Sequence, residues 1–313
     1  MKLTYDRFLA SIKTKSEVSL AVNEVWISRS VVGVKKDGEI KPVFGFGAAF
    51  SQKRSEASSV YELLEHLIFL PFMHDKESLS KPVSFISADI KDRPTKDSVQ
   101  EYLIGSLGPR GIFSANGCAV STNVGNAVTH AKRELIERHL CCEIWYKRAH
   151  PLLPCSEFKI KTLMPSVKLE VYTTDVAYEG AFAIASLECM EESYFVLGAA
   201  IKSNLKDACD HAASEVLMLY NDVIQKRTES NSTDQSKRNI LSLRDKKTSH
   251  ERKMYFESLS CNNSTKRDYV NLVCKSIVFE PLPNIYAARA FSTAALDPRQ
   301  FDVQGDIPLL PLF

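Results

Sequence analysis

An apolar run ending in small residues, then a short polar turn, then a helix-period pattern: this succession occurs three times along the chain. The middle copy runs over residues 117–138 and the third over 198–215. Set one above the other without a gap, Gly117/Gly198, Ala119/Ala200, Asn123/Asn204, Ala127/Ala208, His130/His211, Ala131/Ala212 and Glu134/Glu215 coincide. The first copy starts at Gly47 and continues through residues 57–66, with a turn two residues shorter. Repetition of this kind predicts one strand-turn-helix unit used three times. Further apolar and alternating runs predict strands over 25–34 and 40–46, joined by the turn signal Lys36-Asp37-Gly38-Glu39. Others are expected over 83–90, 168–173, 182–187, 194–201 and 285–291. The first helix is expected to stop at Pro71, the second near Arg148, and the third to span 208–224. Together these elements read as an α+β fold of repeated units around a mixed sheet.

Each helix residue advances about 100° around the axis. In the middle unit Val128, Ala131, Leu135 and Cys142 share one face, with His130, Glu134, Glu137 and Cys141 along its edge and Arg138 between the two. In the first unit Val60, Leu63, Leu67 and Leu70 form the apolar face, and Ser58, Glu62 and Glu65 occupy the edge stripe. An isolated Glu-x-x-Glu on a helix is usually a solvated edge. Here it recurs at one angle in two related units, so two facing helices would gather up to four carboxylates, a costly concentration without cations. Hard oxygen ligands of this kind suit Mg²⁺. The third helix keeps Glu215 but carries Met218 and Leu219 where the second has Glu137 and Arg138, and so cannot offer the same pair.

Composition changes this picture little. The 313 residues are 44% hydrophobic, enough for a substantial core, and a net charge of +2 points neither toward nor away from nucleic acid. Neither nucleic acid nor membrane is expected as a partner. No signal peptide or bilayer-length apolar run is seen, and the eight cysteines lack CxxC spacing, so a reduced cytoplasmic protein is expected. Residues 225–253, dominated by Lys, Arg, Ser, Asn, Asp and Thr, read as a mobile surface insertion. Residues 1–44 read as an N-terminal segment and hairpin leading into a domain over 45–313. The glycine-rich stretch at 105–111 lacks the Lys-Ser/Thr ending of a phosphate-binding loop and is read as a connection. GxSxG, HExxH and complete Walker motifs are missing, and the seven histidines have no metal spacing. His130 and His211 are expected to pack or cap locally; a catalytic role for His130 is the weaker reading.

Ser58-x-x-x-Glu62-x-x-Glu65, followed by Asn116-Gly117-Cys118-Ala119 and then Glu134-x-x-Glu137-Arg138, resembles the YcaO domain. The resemblance extends from about residue 46 to the C-terminus. It implies ATP and Mg²⁺ as cofactors and activation of a backbone amide by phosphorylation of its oxygen in a ribosomally made precursor peptide. The product would be an azoline from Cys, Ser or Thr, as in bacteriocin maturation, or a thioamide. The resemblance also implies roles. Glu62, Glu65, Glu134 and Glu137 would hold Mg²⁺. Ser58, Asn116, Glu134, Arg138 and Arg289 would bind ATP, with Arg138 and Arg289 neutralising charge as the phosphoryl group moves. A separate peptide-recruiting protein and a flavin dehydrogenase are the implied partners, and a homodimer is compatible.

Several positions depart from the family pattern. Asn126 stands where many members are acidic, Leu219 where a polar residue follows the third unit's glutamate, and His66 where an arginine follows the first pair. The tail has Pro308 and Pro311 without an alternating PxPxP ending, and no recognisable peptide-binding domain precedes the first unit. A non-catalytic scaffold within a modification complex is the alternative these departures leave open.

Overall fold

The computed structural model describes residues 11–36, 39–74, 85–88, 116–156, 158, 162–175, 180–191, 193–224, 245–260, 272–292, 294–296 and 310. The glycine-rich stretch at 105–111, residues 1–10 and most of the 225–253 insertion lie outside them. Within them the strands form three antiparallel sheets rather than one mixed sheet. The first sheet is β1 (Lys13–Val18), β2 (Trp26–Lys36) and β3 (Glu39–Ala49). The second has the order β4 (Phe85–Ala88), β10 (Lys275–Leu282), β11 (Ile285–Phe291) and β5 (Cys118–Ser121). The third runs β6 (Leu153–Pro154), β7 (Val167–Thr173), β8 (Ala181–Cys189) and β9 (Tyr194–Lys202).

Each repeat therefore owns a sheet. Its strand, β3, β5 or β9, lies last in the sheet order, and the helix that follows folds back onto that sheet. These helices are α1 (Gln52–His74), α2 (Val124–Lys147) and α3 (Leu205–Ile224). The polar turns start the last two in the same way. Asn123 Oδ1 accepts the N–H of Asn126, and Asn204 Oδ1 accepts that of Asp207, so two repeat-equivalent asparagines cap equivalent helices.

Each helix also leans on the next unit, and this closes the three units into a ring. Helix α1 touches β5, α2 touches β9, and α3 touches β3. The contacts between units are apolar at depth. Phe69 of α1 meets Phe279 of β10 edge-to-face at 6.0 Å. Ile136, Leu140, Ile144 and Trp145 of α2 pack with Ile184, Leu197 and Ile201 of the third sheet. Ala212, Ala213, Val216 and Leu217 of α3 share a core with Val25, Ile27 and Ala48 of the first.

The first unit is joined differently. Between its sheet and α1 lies a layer of hydroxyls. Ser30 Oγ stands 2.8 Å from both Thr14 Oγ1 and Ser59 Oγ, and Ser55 Oγ lies 2.6 Å from Ser28 Oγ and 3.0 Å from the carbonyl oxygen of Gly47. Small residues let helix and strand backbones close up. A β-carbon on Gly45 would lie 2.2 Å from both the Leu63 nitrogen and the Ser59 carbonyl oxygen, which are backbone atoms unable to yield. Gly45→Ala is therefore expected to cost about 3 kcal/mol or more, seen as a lowered urea midpoint.

Other expectations change. β3 runs unbroken past residue 44, so the hairpin and the first repeat strand are one piece. Helix α1 continues past Pro71 to His74. Residues 246–253, expected in the mobile insertion, belong to α4 (Lys246–Ser260), which buries Ser249, Arg252, Phe256 and Leu259. Its Phe256 meets the rings of Tyr172 and Phe195, and Tyr255 donates to the Trp145 carbonyl. No described helix is long and apolar enough to cross a membrane.

Candidate functional site

An edge strand leaves main-chain N–H groups without a neighbouring strand, and buried donors need acceptors. Each repeat meets this need with a glutamate from its own helix. Glu62 accepts the N–H of Phe46 at 3.0 Å, Glu215 that of Ala199 at 3.3 Å, and Glu134 that of Gly117. The three are repeat-equivalent, and the bonds turn their carboxylates toward the middle of the ring. One turn on, Glu65 and Glu137 project from α1 and α2 toward the following unit. The matching residue of α3 is Met218, which packs into the apolar core it shares with the first unit. The ring thus has two charged junctions and one dry one.

At the first junction Glu65 faces Glu62 and Glu134. Burial and these two neighbours hold its carboxyl well above the usual range, against the pull of Arg289 and Arg138. Burial likewise raises Glu134 to about 7, with Glu215 adding to the shift while Arg138, Arg289 and the Gly117 N–H oppose it. Arg289, from β11, is only 1% exposed. It donates to the main-chain carbonyl of Asn116 at 2.6 Å and lies 2.9 Å from Cys118 Sγ. Burial pushes the Cys118 thiol up to about 12, so it stays neutral beside the guanidinium.

At the second junction Glu137, 8% exposed, rises to about 8 through burial and Glu215, while Arg138 and Lys202 pull it down. Arg138 Nε stands 3.8 Å from Glu137 Oε1. Burial disfavours the Arg138 charge, but Glu137, Glu215 and Glu134 outweigh it and keep the side chain protonated. Glu215 keeps 29% of its side chain exposed and also rises through burial. Next to it His211 falls to about 3, through burial and the nearby Lys202 and His130, so it is neutral at physiological pH.

The expected residues therefore divide. Glu62, Glu65, Glu134, Glu137, Arg138 and Arg289 come together. Asn116 joins through its carbonyl. Ser58 lies one turn before Glu62, its β-carbon against the Gly47 strand position. His130 is exposed on α2. His66, at the position of Arg138, donates from Nδ1 to the Phe44 carbonyl at 2.7 Å and stands 3.8 Å from Glu62. Asn126 is exposed and serves the helix cap. The described residue of the tail, Leu310, donates its N–H to Tyr146 Oη near the far end of α2. Two members of the cluster, Glu215 and Lys202, were not among the expected site residues. The gapless alignment of the repeats was the signal for Glu215, since it places that residue on Glu134.

Four carboxyls, of Glu65, Glu134, Glu137 and Glu215, are crowded and buried enough to hold their protons above the usual range despite the nearby arginines. The donors are hard oxygens, as Mg²⁺ requires. Among the described residues no three His, Cys, Asp or Glu side chains already converge as ligands around one point.

Comparison with known proteins bears on this geometry. The family model described as YcaO cyclodehydratase, ATP- and Mg²⁺-binding, matches residues 102–273, more than half of the chain. That span holds the second and third units; Glu62, Glu65 and Arg289 join them through the fold. No curated protein matches. Among solved structures, the chain is similar to YcaO from Methanopyrus kandleri bound with AMPPCP and Mg²⁺, at 14% identity and a TM-score of 0.56, over 96% of this chain and 90% of that one. It is similar to a chain of the E. coli microcin synthetase McbBCD complex at 12% identity and a TM-score of 0.57, over 89% and 87%. A heterocyclase in complex with substrate and cofactor matches at 12% identity and a TM-score of 0.56, over 92% of this chain and 50% of that one. These likenesses establish a shared fold. With the family model spanning the two units that build the second junction, the chain belongs to the YcaO family, whose cofactors are ATP and Mg²⁺.

Proposed function

We propose that this chain is an ATP- and Mg²⁺-dependent enzyme that activates backbone amides of a ribosomally made precursor peptide, forming azolines by cyclodehydration. The observation that carries the reading is the gathering of Glu62, Glu65, Glu134, Glu137, Arg138 and Arg289 from separate units onto two junctions, with the carboxyls of Glu65, Glu134 and Glu137 raised by burial and by neighbouring carboxylates. In this reading the four glutamates would hold Mg²⁺, which would supply positive charge to the phosphate groups of ATP. Arg138 and Arg289, fixed by burial, meet the charge that develops as the phosphoryl group passes to the amide oxygen. Ser58 and Asn116 border the nucleotide. Such catalysis is mostly positioning and electrostatics, and it calls for groups anchored on helices and strands as these are. The precursor peptide is the substrate, presented by a separate recruiting protein.

The test is thermal unfolding with and without Mg²⁺–ATP, followed by mass loss from a candidate peptide. At a ligand concentration 100 times the dissociation constant the fold gains about 2.7 kcal/mol, or about 5 °C for a chain of this size. Loss of water from the peptide (about 18 Da by its formula) marks an azoline, whereas exchange of oxygen for sulfur marks a thioamide. Absence of any Mg²⁺–ATP shift, with peptide and partner present, would favour the scaffold reading.

A further inference from the structure

His66 follows Glu62 by four residues, so the two side chains stand one above the other on α1. Both are tied to β3. Glu62 Oε2 accepts the N–H of Phe46 at 3.0 Å, and His66 Nδ1 lies 2.7 Å from the Phe44 carbonyl oxygen. A strand repeats every two residues, so Phe44 and Phe46 turn these groups to one edge and fix both side chains together. His66 Nε2 then stands 3.8 Å from Glu62 Oε1, with the side chains 37% and 36% exposed and so within reach of an ion.

The bond to Phe44 decides what Nε2 can do. A carbonyl oxygen only accepts, so Nδ1 carries the proton, and in the neutral ring Nε2 is left with a lone pair. This is the arrangement of a metal-binding histidine, whose other nitrogen donates to a carbonyl or carboxylate. His139 shows the opposite case. Its Nδ1 accepts the N–H of Leu296 at 3.1 Å, so in the neutral ring the proton sits on Nε2, toward Glu143. The repeat partners of His66 are Arg138 and Leu219, and neither side chain offers a lone pair to a metal.

Two ligand atoms each about 2.1 Å from one ion can stand up to about 4.2 Å apart. The 3.8 Å between Nε2 and Oε1 falls within that span. We propose that His66 Nε2 is a nitrogen ligand at the first junction, binding one divalent ion together with Glu62, and that it gives this junction a stronger hold on a transition ion such as Mn²⁺ than on Mg²⁺. Imidazole nitrogen suits transition ions, whereas Mg²⁺ prefers oxygen. The inference rests on the reading of this centre as a nucleotide–metal site; it adds a ligand to the four glutamates and displaces none of them.

The test reads the ligand atom directly. Mn²⁺ is bound with AMPPCP to the full chain, once at natural abundance and once with ¹⁵N-labelled histidine, and the electron spin echo of Mn²⁺ is recorded. The wild type is expected to show a nitrogen coupling that changes with the label; the nitrogens of AMPPCP are unlabelled and cannot do so. His66→Arg, which places the family's residue there, and His66→Gln, whose amide can still donate to Phe44, should each lose the coupling. Displacing Mn²⁺ from the wild type should take at least about tenfold more Mg²⁺ than from either variant, since even an outer partner of a metal ligand is worth that much. If the bound Mn²⁺ shows no histidine coupling, His66 is not a ligand, while the nucleotide–metal reading stands. If the coupling survives in both variants, another histidine supplies it and the inference falls. If the wild type binds no Mn²⁺ with AMPPCP, that reading falls and the inference with it.

Discussion

Glu134→Gln is expected to melt above the wild type at pH 8 without nucleotide, yet to lose the stabilisation that Mg²⁺–ATP gives the wild type. The two effects have one cause. Glu134 is the carboxylate that borders both junctions, next to Glu65 on one side and Glu137 and Glu215 on the other. In the unfolded chain its carboxyl ionises near the usual value; folded, it keeps its proton to about 7, and Glu137 to about 8. Between about pH 4.5 and 8 the folded state therefore holds more protons than the unfolded one, and stability falls as pH rises through that window. Glutamine removes the charge and still accepts the Gly117 N–H, so the variant escapes part of this loss. At pH 5, where the wild-type carboxyl is protonated, the two proteins should melt alike. Mg²⁺–ATP should reverse the order at pH 8 by supplying the missing cations to the wild type alone. Peptide-dependent ATP turnover should fall by about a hundredfold or more, the scale of a lost preorganised electrostatic group. Equal melting at pH 8 would mean that Glu134 carries no electrostatic strain.

Arg289→Met is expected to fail in both fold and function. Its guanidinium is the most buried cation of the centre, tied to the Asn116 carbonyl and facing Glu65 and Glu134. Removing one partner of a buried charged set leaves the others uncompensated, at a cost of about 3 kcal/mol. The loss should be read in urea at pH 7, where it lowers the midpoint without changing the slope. It should shrink at pH 5, because the facing carboxyls can then take protons in place of the lost cation. Arg289→Lys keeps the charge but not the two-sided fork, so it should recover much of the stability and little of the Mg²⁺–ATP response. A loss of stability that is the same at both pH values would point to packing instead.

Much of this architecture was legible because the chain repeats itself. Glycine, asparagine and glutamate recur at fixed offsets, and each offset has a physical counterpart: a close approach, a helix cap, and a bond from helix to edge strand. The sheets were less legible, since which strand pairs with β5 depends on β11, more than 160 residues on. β1 escaped notice because Lys13–Val18 has no apolar alternation; it is joined to β2 through Thr14 and Ser16, which meet the hydroxyls of Ser30 and Ser28. Helix α4 was hidden for a similar reason, since Ser249 and Arg252 look like solvent positions in a charged run. In the site, Glu62, Glu65, Glu134, Glu137 and Arg138 followed from helical spacing and family resemblance together. Glu215 is not expected among them, because Met218 and Leu219 break its motif. Spacing along one helix cannot show that Glu215 serves the junction formed by its neighbour, nor that a lysine at a strand end faces the same place.

The dry junction has a consequence for how the protein is made. It joins α3 to the first sheet, and its polar rim links Ser19 and Leu20 to Asn221, some two hundred residues apart in the chain. Loop closure over such a span is entropically costly and is reached late. A nascent chain leaving the ribosome can order its first sheet and α1 early, but Glu62 and Glu65 then lack the units that complete their surroundings. Only when the third unit has emerged and sealed against the first do both charged junctions exist. The proposed nucleotide site should therefore be absent from nascent chains whose third unit has not yet emerged.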